Sequence, residues 1–132
     1  MSRLRHLPIL LAAMLFAVAG AGAPGALAAD PPGHFLSGFE DLPLMDGLTE
    51  QADSGVVFDK PDGRIVERYA SGPLSRDSVM TFYRNTLPQL GWRARRAKKA
   101  HTLAFKRDDE LLDIEFKKAG SELVVRFSVT PK

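Results

Sequence analysis

The chain contains no cysteine. That absence excludes disulfides, thiol catalysis, thiolate metal sites and the lipidated cysteine that anchors a lipoprotein, so the fold must stand on its core alone. Aromatic residues with a polar handle are scarce, with one tryptophan and two tyrosines among 132 residues. Also missing are the spacings of familiar catalytic and nucleotide sites: there is no HExxH, no Walker loop and no Gly-x-Ser-x-Gly elbow. His34 and His101 have no serine and carboxylate at a motif spacing. Asp108-Asp109-Glu110 lacks the ligand spacing of a calcium loop and reads as an acidic turn. No catalytic residue, cofactor site or metal site is therefore assigned, and the chain is not read as an enzyme.

What is present begins with an address. Arg3 and Arg5 precede an apolar run from Pro8 to Val18, and Ala26-Leu27-Ala28 has the small-x-small form that a signal peptidase accepts. Residues 1–28 are expected to be a cleaved signal peptide, cut after Ala28, which makes the product periplasmic or secreted. The apolar run is short for a membrane span, and no transmembrane span is expected after cleavage. Loss of Arg3 and Arg5 leaves 16 basic and 16 acidic residues. The precursor's pI near 9.1 thus gives no reason to expect nucleic acid as a partner.

Charge is nonetheless uneven along the chain. Residues 29–72 hold nine acids and three bases, whereas residues 73–132 hold seven acids and thirteen bases. Opposed halves attract each other within one small domain, and a basic surface left uncovered suits an anionic partner.

Residues 29–54 contain Pro31, Pro32, Gly33, Gly38, Pro43 and Gly47 without a sustained period, and so read as an irregular leader. Leu42, Leu44, Met45 and Leu48 are too apolar for a solvated linker; the leader is expected to lie against the domain and cover a sheet edge. Residues 55–132 are read as a single domain. Val56-Val57-Phe58, the turn Lys60-Pro61-Asp62-Gly63 and the alternation from Arg64 to Ala70 predict a hairpin. Ser75 as N-cap, with Val79, Phe82, Tyr83, Leu87 and Leu90 at helical spacing, predicts one amphipathic helix that stops near Leu87 or Leu90, before Gly91.

Strands are then predicted over Trp92–Lys99, His101–Arg107, Leu111–Lys118 and Glu122–Thr130. Leu103, Phe105, Leu112, Ile114, Phe116, Leu123, Val125, Phe127 and Val129 share one face, and Asp113, Glu115 and Lys117 face out. The fold class is α+β: one amphipathic helix packed on an antiparallel sheet, in the order β-β-α-β-β-β-β.

Two groups are candidates for binding. The first is the basic run Arg93, Arg95, Arg96, Lys98, Lys99 and His101, with Lys106 and Arg107 on the next strand. Arg93, Arg95 and Lys99 point one way from an extended strand and form a candidate face for an anionic partner; the other reading is a solvated face paired with Asp113 and Glu115. The second group is Tyr69, Phe82, Tyr83 and Trp92, a candidate pocket between helix and sheet, or else simply core.

The segments Asp41-Leu42-Pro43-Leu44-Met45, Gly63-Arg64-Ile65-Val66-Glu67 and Phe82-Tyr83-Arg84-Asn85-Thr86-Leu87-Pro88-Gln89-Leu90-Gly91-Trp92 carry a resemblance. The chain resembles uncharacterised small exported proteins of alphaproteobacteria. The last segment is also similar, at the level of fold, to helix-on-sheet domains of outer-membrane assembly lipoproteins, from which this chain departs by lacking the lipidated cysteine. Neither resemblance implies a catalytic residue. The function expected is that of a non-enzymatic periplasmic binding or adaptor domain contacting a protein or another, acidic, envelope component. The alternative is a small-molecule or lipid carrier.

Overall fold

Ser75 has extended backbone angles, and its hydroxyl accepts a hydrogen bond from the N–H of Ser78 at 3.2 Å, so the helix starts where a capping serine was expected. The computed structural model describes residues 34–132, and the expected signal peptide and its cleavage point lie outside the described residues. Within them the elements are β1 (Thr49–Lys60), β2 (Gly63–Gly72), α1 (Arg76–Thr86), β3 (Arg93–Arg95), β4 (Thr102–Arg107), β5 (Glu110–Ala119) and β6 (Glu122–Pro131). The class is α+β, mostly sheet. All six strands join one antiparallel sheet in the order β1-β2-β6-β5-β4-β3.

Local chemistry accounts for the boundaries. Pro61 sits in the two-residue connection between Lys60 and Gly63, where its fixed φ suits the turn. Pro88 is tolerated because it opens a single 3-10 turn, Leu87–Leu90, rather than interrupting α1. Gly91 then takes a φ of 86°, and its N–H returns to the carbonyls of Leu87 and Pro88.

One face of the sheet is apolar. Cross-strand neighbours Leu112 and Val129, Ile114 and Phe127, and Phe116 and Val125 are all buried, as are Leu103, Phe105 and Leu123. Val79, Tyr83 and Leu87 of the helical segment pack on this face, and the Tyr83 ring meets Phe127 edge-on with centroids 5.3 Å apart.

A helix of eleven residues cannot cover six strands. The leader covers the remainder. Leu36 and Leu42 are each 1% exposed, Leu48 is buried, and Phe39, Leu44 and Met45 pack against the same cluster. The leader therefore lies on the helix-bearing face rather than along a sheet edge, as had been expected, and β1 remains an outermost strand. Close approach demands a glycine here: a Cβ on Gly72 would stand 1.9 Å from the carbonyl oxygen of Gly47.

Two boundaries differ from expectation. Regular structure begins at Thr49 rather than Gly55, because the strand continues through an irregularity between Glu50 and Gly55 where Asp53 adopts a φ of 60°. The strand expected over Trp92–Lys99 is confined to Arg93–Arg95. His101 takes a left-handed φ of 52°, and its carbonyl accepts from the N–H of Phe116 in β5 at 3.1 Å, next to the β4–β5 pairing.

Phe127→Ala should cost about 3–5 kcal/mol in urea unfolding, because the ring is wholly buried, and Phe82→Ala should cost clearly less, because Phe82 is only half-buried. Tyr83→Phe, which leaves the Pro43 carbonyl without its buried donor, should cost about 1–3 kcal/mol in the same measurement.

Candidate functional site

The sheet face away from the helix is polar, and the charges at its centre are paired. Tyr69 and Arg126 are directly paired residues of β2 and β6, and Arg126 and Glu115 are directly paired on β6 and β5. Arg126 donates to Glu67 at 2.5 Å through one nitrogen and to Glu115 at 3.2 Å through the other. Tyr69 donates to the second oxygen of Glu67 at 2.6 Å. The Arg126 hydrogen bond holds the Glu67 carboxyl below its ordinary pKa, against the opposing effect of burial. The same carboxylate raises the Tyr69 phenol, because ionising it would lose that hydrogen bond and set two negative charges together.

This ladder extends to the basic run. Arg95 donates to Asp113 at 2.6 Å and to the Phe105 carbonyl at 3.2 Å, and Lys99 donates to Glu115 at 3.0 Å. Two members of the expected anionic-partner face are therefore neutralised by Asp113 and Glu115, the pairing weighed above as the other reading. Arg93 is exposed and forms no ion pair among the described residues; it stands directly opposite Lys106.

The four aromatic residues do not converge on a pocket between helix and sheet. Tyr69 lies on the polar face, bonded to Glu67. Phe82 and Tyr83 meet edge to face at 4.9 Å on the other side of the sheet, and Tyr83 is buried. Trp92 is 3% exposed beneath the Arg107 guanidinium, which lies 4.3 Å from its ring centroid. Arg107 is held there by both oxygens of Asp41, at 2.6 and 3.2 Å, and by the Leu90 carbonyl at 3.0 Å. That clamp borders a cavity of about 210 Å³ which Phe39, Arg64 and Glu110 also line.

What the strand pattern alone did not show is an edge left open among the described residues. The sheet has two outermost strands, β1 and β3. β3 has three residues, two of them arginine, and so is blunted by shortness and charge. β1 has twelve, and Val56, Val57 and Phe58 are 53%, 48% and 55% exposed. Their unbroken apolar run was the available signal, since a strand with one buried face alternates. A groove of about 590 Å³, lined among others by Ser37, Glu50, Asp53, Val57 and Arg68, adjoins them.

Compared with protein-family models, with curated proteins and with solved structures, the chain matches none.

The Glu67 ion pair makes a pH prediction. A carboxyl whose pKa is lowered by folding contributes stability above its ordinary value near 4.5, and that stability is lost as the pH falls through the lowered value. The melting temperature of the wild type should therefore fall more steeply below pH 4.5 than that of Glu67→Gln.

Proposed function

We propose that the chain is a non-enzymatic periplasmic binding or adaptor domain, whose partner is an envelope protein that adds an extended segment to the outer edge of β1. The open edge supports this reading most directly. An outermost strand presents alternate N–H and C=O groups without a strand partner, and natural proteins normally protect such an edge. Here β3 is short and charged, whereas β1, beyond its irregularity at Glu50–Gly55, exposes Val56, Val57 and Phe58. Strand addition supplies affinity through backbone hydrogen bonds and specificity through alternate side chains.

Charge gives the segment its chemistry. Asp53, Asp59 and Asp62 along the β1 hairpin form no ion pair among the described residues, and Lys60 is the only base between Thr49 and Asp62. An extended segment that alternates apolar and basic residues fits this edge. Arg95 and Lys99 have a smaller part than the basic run suggested, because an acidic partner would first have to displace Asp113 and Glu115.

The test is crosslinking in the native host with a photoreactive residue on β1, followed by amide hydrogen exchange on the recovered complex. The wild type should yield a stoichiometric partner that protects the amides of Gly55–Lys60. A V57K/F58K variant should lose it at a folding cost within about 1 kcal/mol, since both side chains are half in water. An R95Q/K99Q variant should keep it. Recovery of the same partner by V57K/F58K, or protection elsewhere than β1, would overturn the assignment.

A further inference from the structure

At the corner opposite β1, two like charges face each other. Arg93 and Lys106 are directly paired residues of β3 and β4, so their Cβ atoms are about 5 Å apart, and like charges so placed destabilise a sheet. Neither side chain has an ion pair among the described residues, and both are exposed. The repulsion is not relieved by the chain's own carboxylates, although Asp113 and Glu115 relieve it for the neighbouring Arg95 and Lys99.

The same corner is concave. A cavity of about 350 Å³ is lined by Gly91, Arg93, Lys106, Arg107, Asp108 and Lys132. Four of these six residues have cationic side chains and one, Asp108, an acidic side chain. Arg107 is already engaged by Asp41, which leaves Arg93, Lys106 and Lys132 as cations free to serve a ligand. Lys132 is held at the cavity by its backbone N–H, which donates to the Asp109 carbonyl at 2.8 Å.

We propose that this corner binds a phosphate group, with Arg93 and Lys106 bridged by its oxygens and Lys132 closing the third side. A tetrahedral dianion suits the arrangement, because one oxygen accepts from the planar guanidinium while others accept from the point charges of the lysines. Binding converts the repulsive pair into two attractive contacts. The group is either free phosphate or the phosphomonoester headgroup of a lipid, and both present the same oxygens.

The full exported chain tests this without a known ligand. Inorganic phosphate should raise the melting temperature of the wild type by several degrees more than chloride at the same ionic strength. In R93Q/K106Q that increment should vanish, while the melting temperature in chloride stays equal or rises, because the like-charge pair is gone. R93K/K106R keeps both charges and should keep the increment, which separates loss of the site from loss of the fold; R84Q, an exposed cation on α1, should behave as wild type. Co-sedimentation with phosphatidylcholine vesicles, with and without phosphatidic acid, distinguishes the source. Sedimentation that requires phosphatidic acid, Arg93 and Lys106 identifies a lipid headgroup; an increment with inorganic phosphate but no sedimentation identifies free phosphate. If phosphate stabilises R93Q/K106Q as it does the wild type, or stabilises neither more than chloride while vesicles fail to sediment the chain, the proposal is overturned.

Discussion

The Tyr83 side chain is where helix, sheet and leader meet. Its ring is fully buried and packs edge-on against Phe82 and Phe127. Its hydroxyl donates to the Pro43 carbonyl at 2.9 Å and accepts from the Met45 N–H at 3.3 Å. A buried phenol must find a partner or forfeit desolvation free energy, and this one finds two backbone groups of a segment that has little regular structure of its own. Burial accordingly keeps the phenol protonated far above its ordinary range. A loop becomes part of the core because its own turns and the Tyr83 hydroxyl satisfy its backbone while its leucines cover the apolar face.

The uneven charge of the two halves is used in the same way. Asp41 from the leader clamps Arg107 of β4 over Trp92, and Glu67 of β2 holds Arg126 of β6. These contacts run between the acidic and basic parts of the chain and join segments distant in sequence. Arg95 with Asp113, and Lys99 with Glu115, are settled within the basic half. Partial exposure limits what each such pair contributes to stability. Their larger effect is positional: they consume most of the charge in the middle of the polar face and leave unpaired charge at its two ends.

The class, the helix and the nine inward-facing strand residues were legible in the sequence because each depends on a local period or a local cap. Ser75, Pro61 and Gly91 each fix a boundary through their own backbone chemistry. Strand order was not legible, since the pairing of Val66 with Val129 joins positions far apart in the chain. Once that order is known, β1 and β3 become edges, and the apolar run Val56-Val57-Phe58 changes from an ordinary strand signal to an exposed surface. Tyr69 illustrates a different limit. Its aromatic character suggested the core, but the pleat of β2 puts it on the face of Glu67, opposite buried Val66 and Ala70. The shortness of β3 escaped for a related reason: alternation describes which way side chains point, not whether a neighbouring strand is there to pair.

The central position of β6 bears on how the fold can be reached. β2 has β6 as its inner neighbour, so a chain that emerges N-terminus first presents the β1–β2 hairpin long before that neighbour exists. A lone two-stranded hairpin is marginal in water. Helix α1 and the leader also lack their full apolar floor until Leu123, Val125 and Phe127 arrive. Assembly must therefore be late and concerted, governed by long-range closure rather than by stepwise accretion. During that interval both flanks of the hairpin are bare, and anything that shields incomplete chains would find its target there.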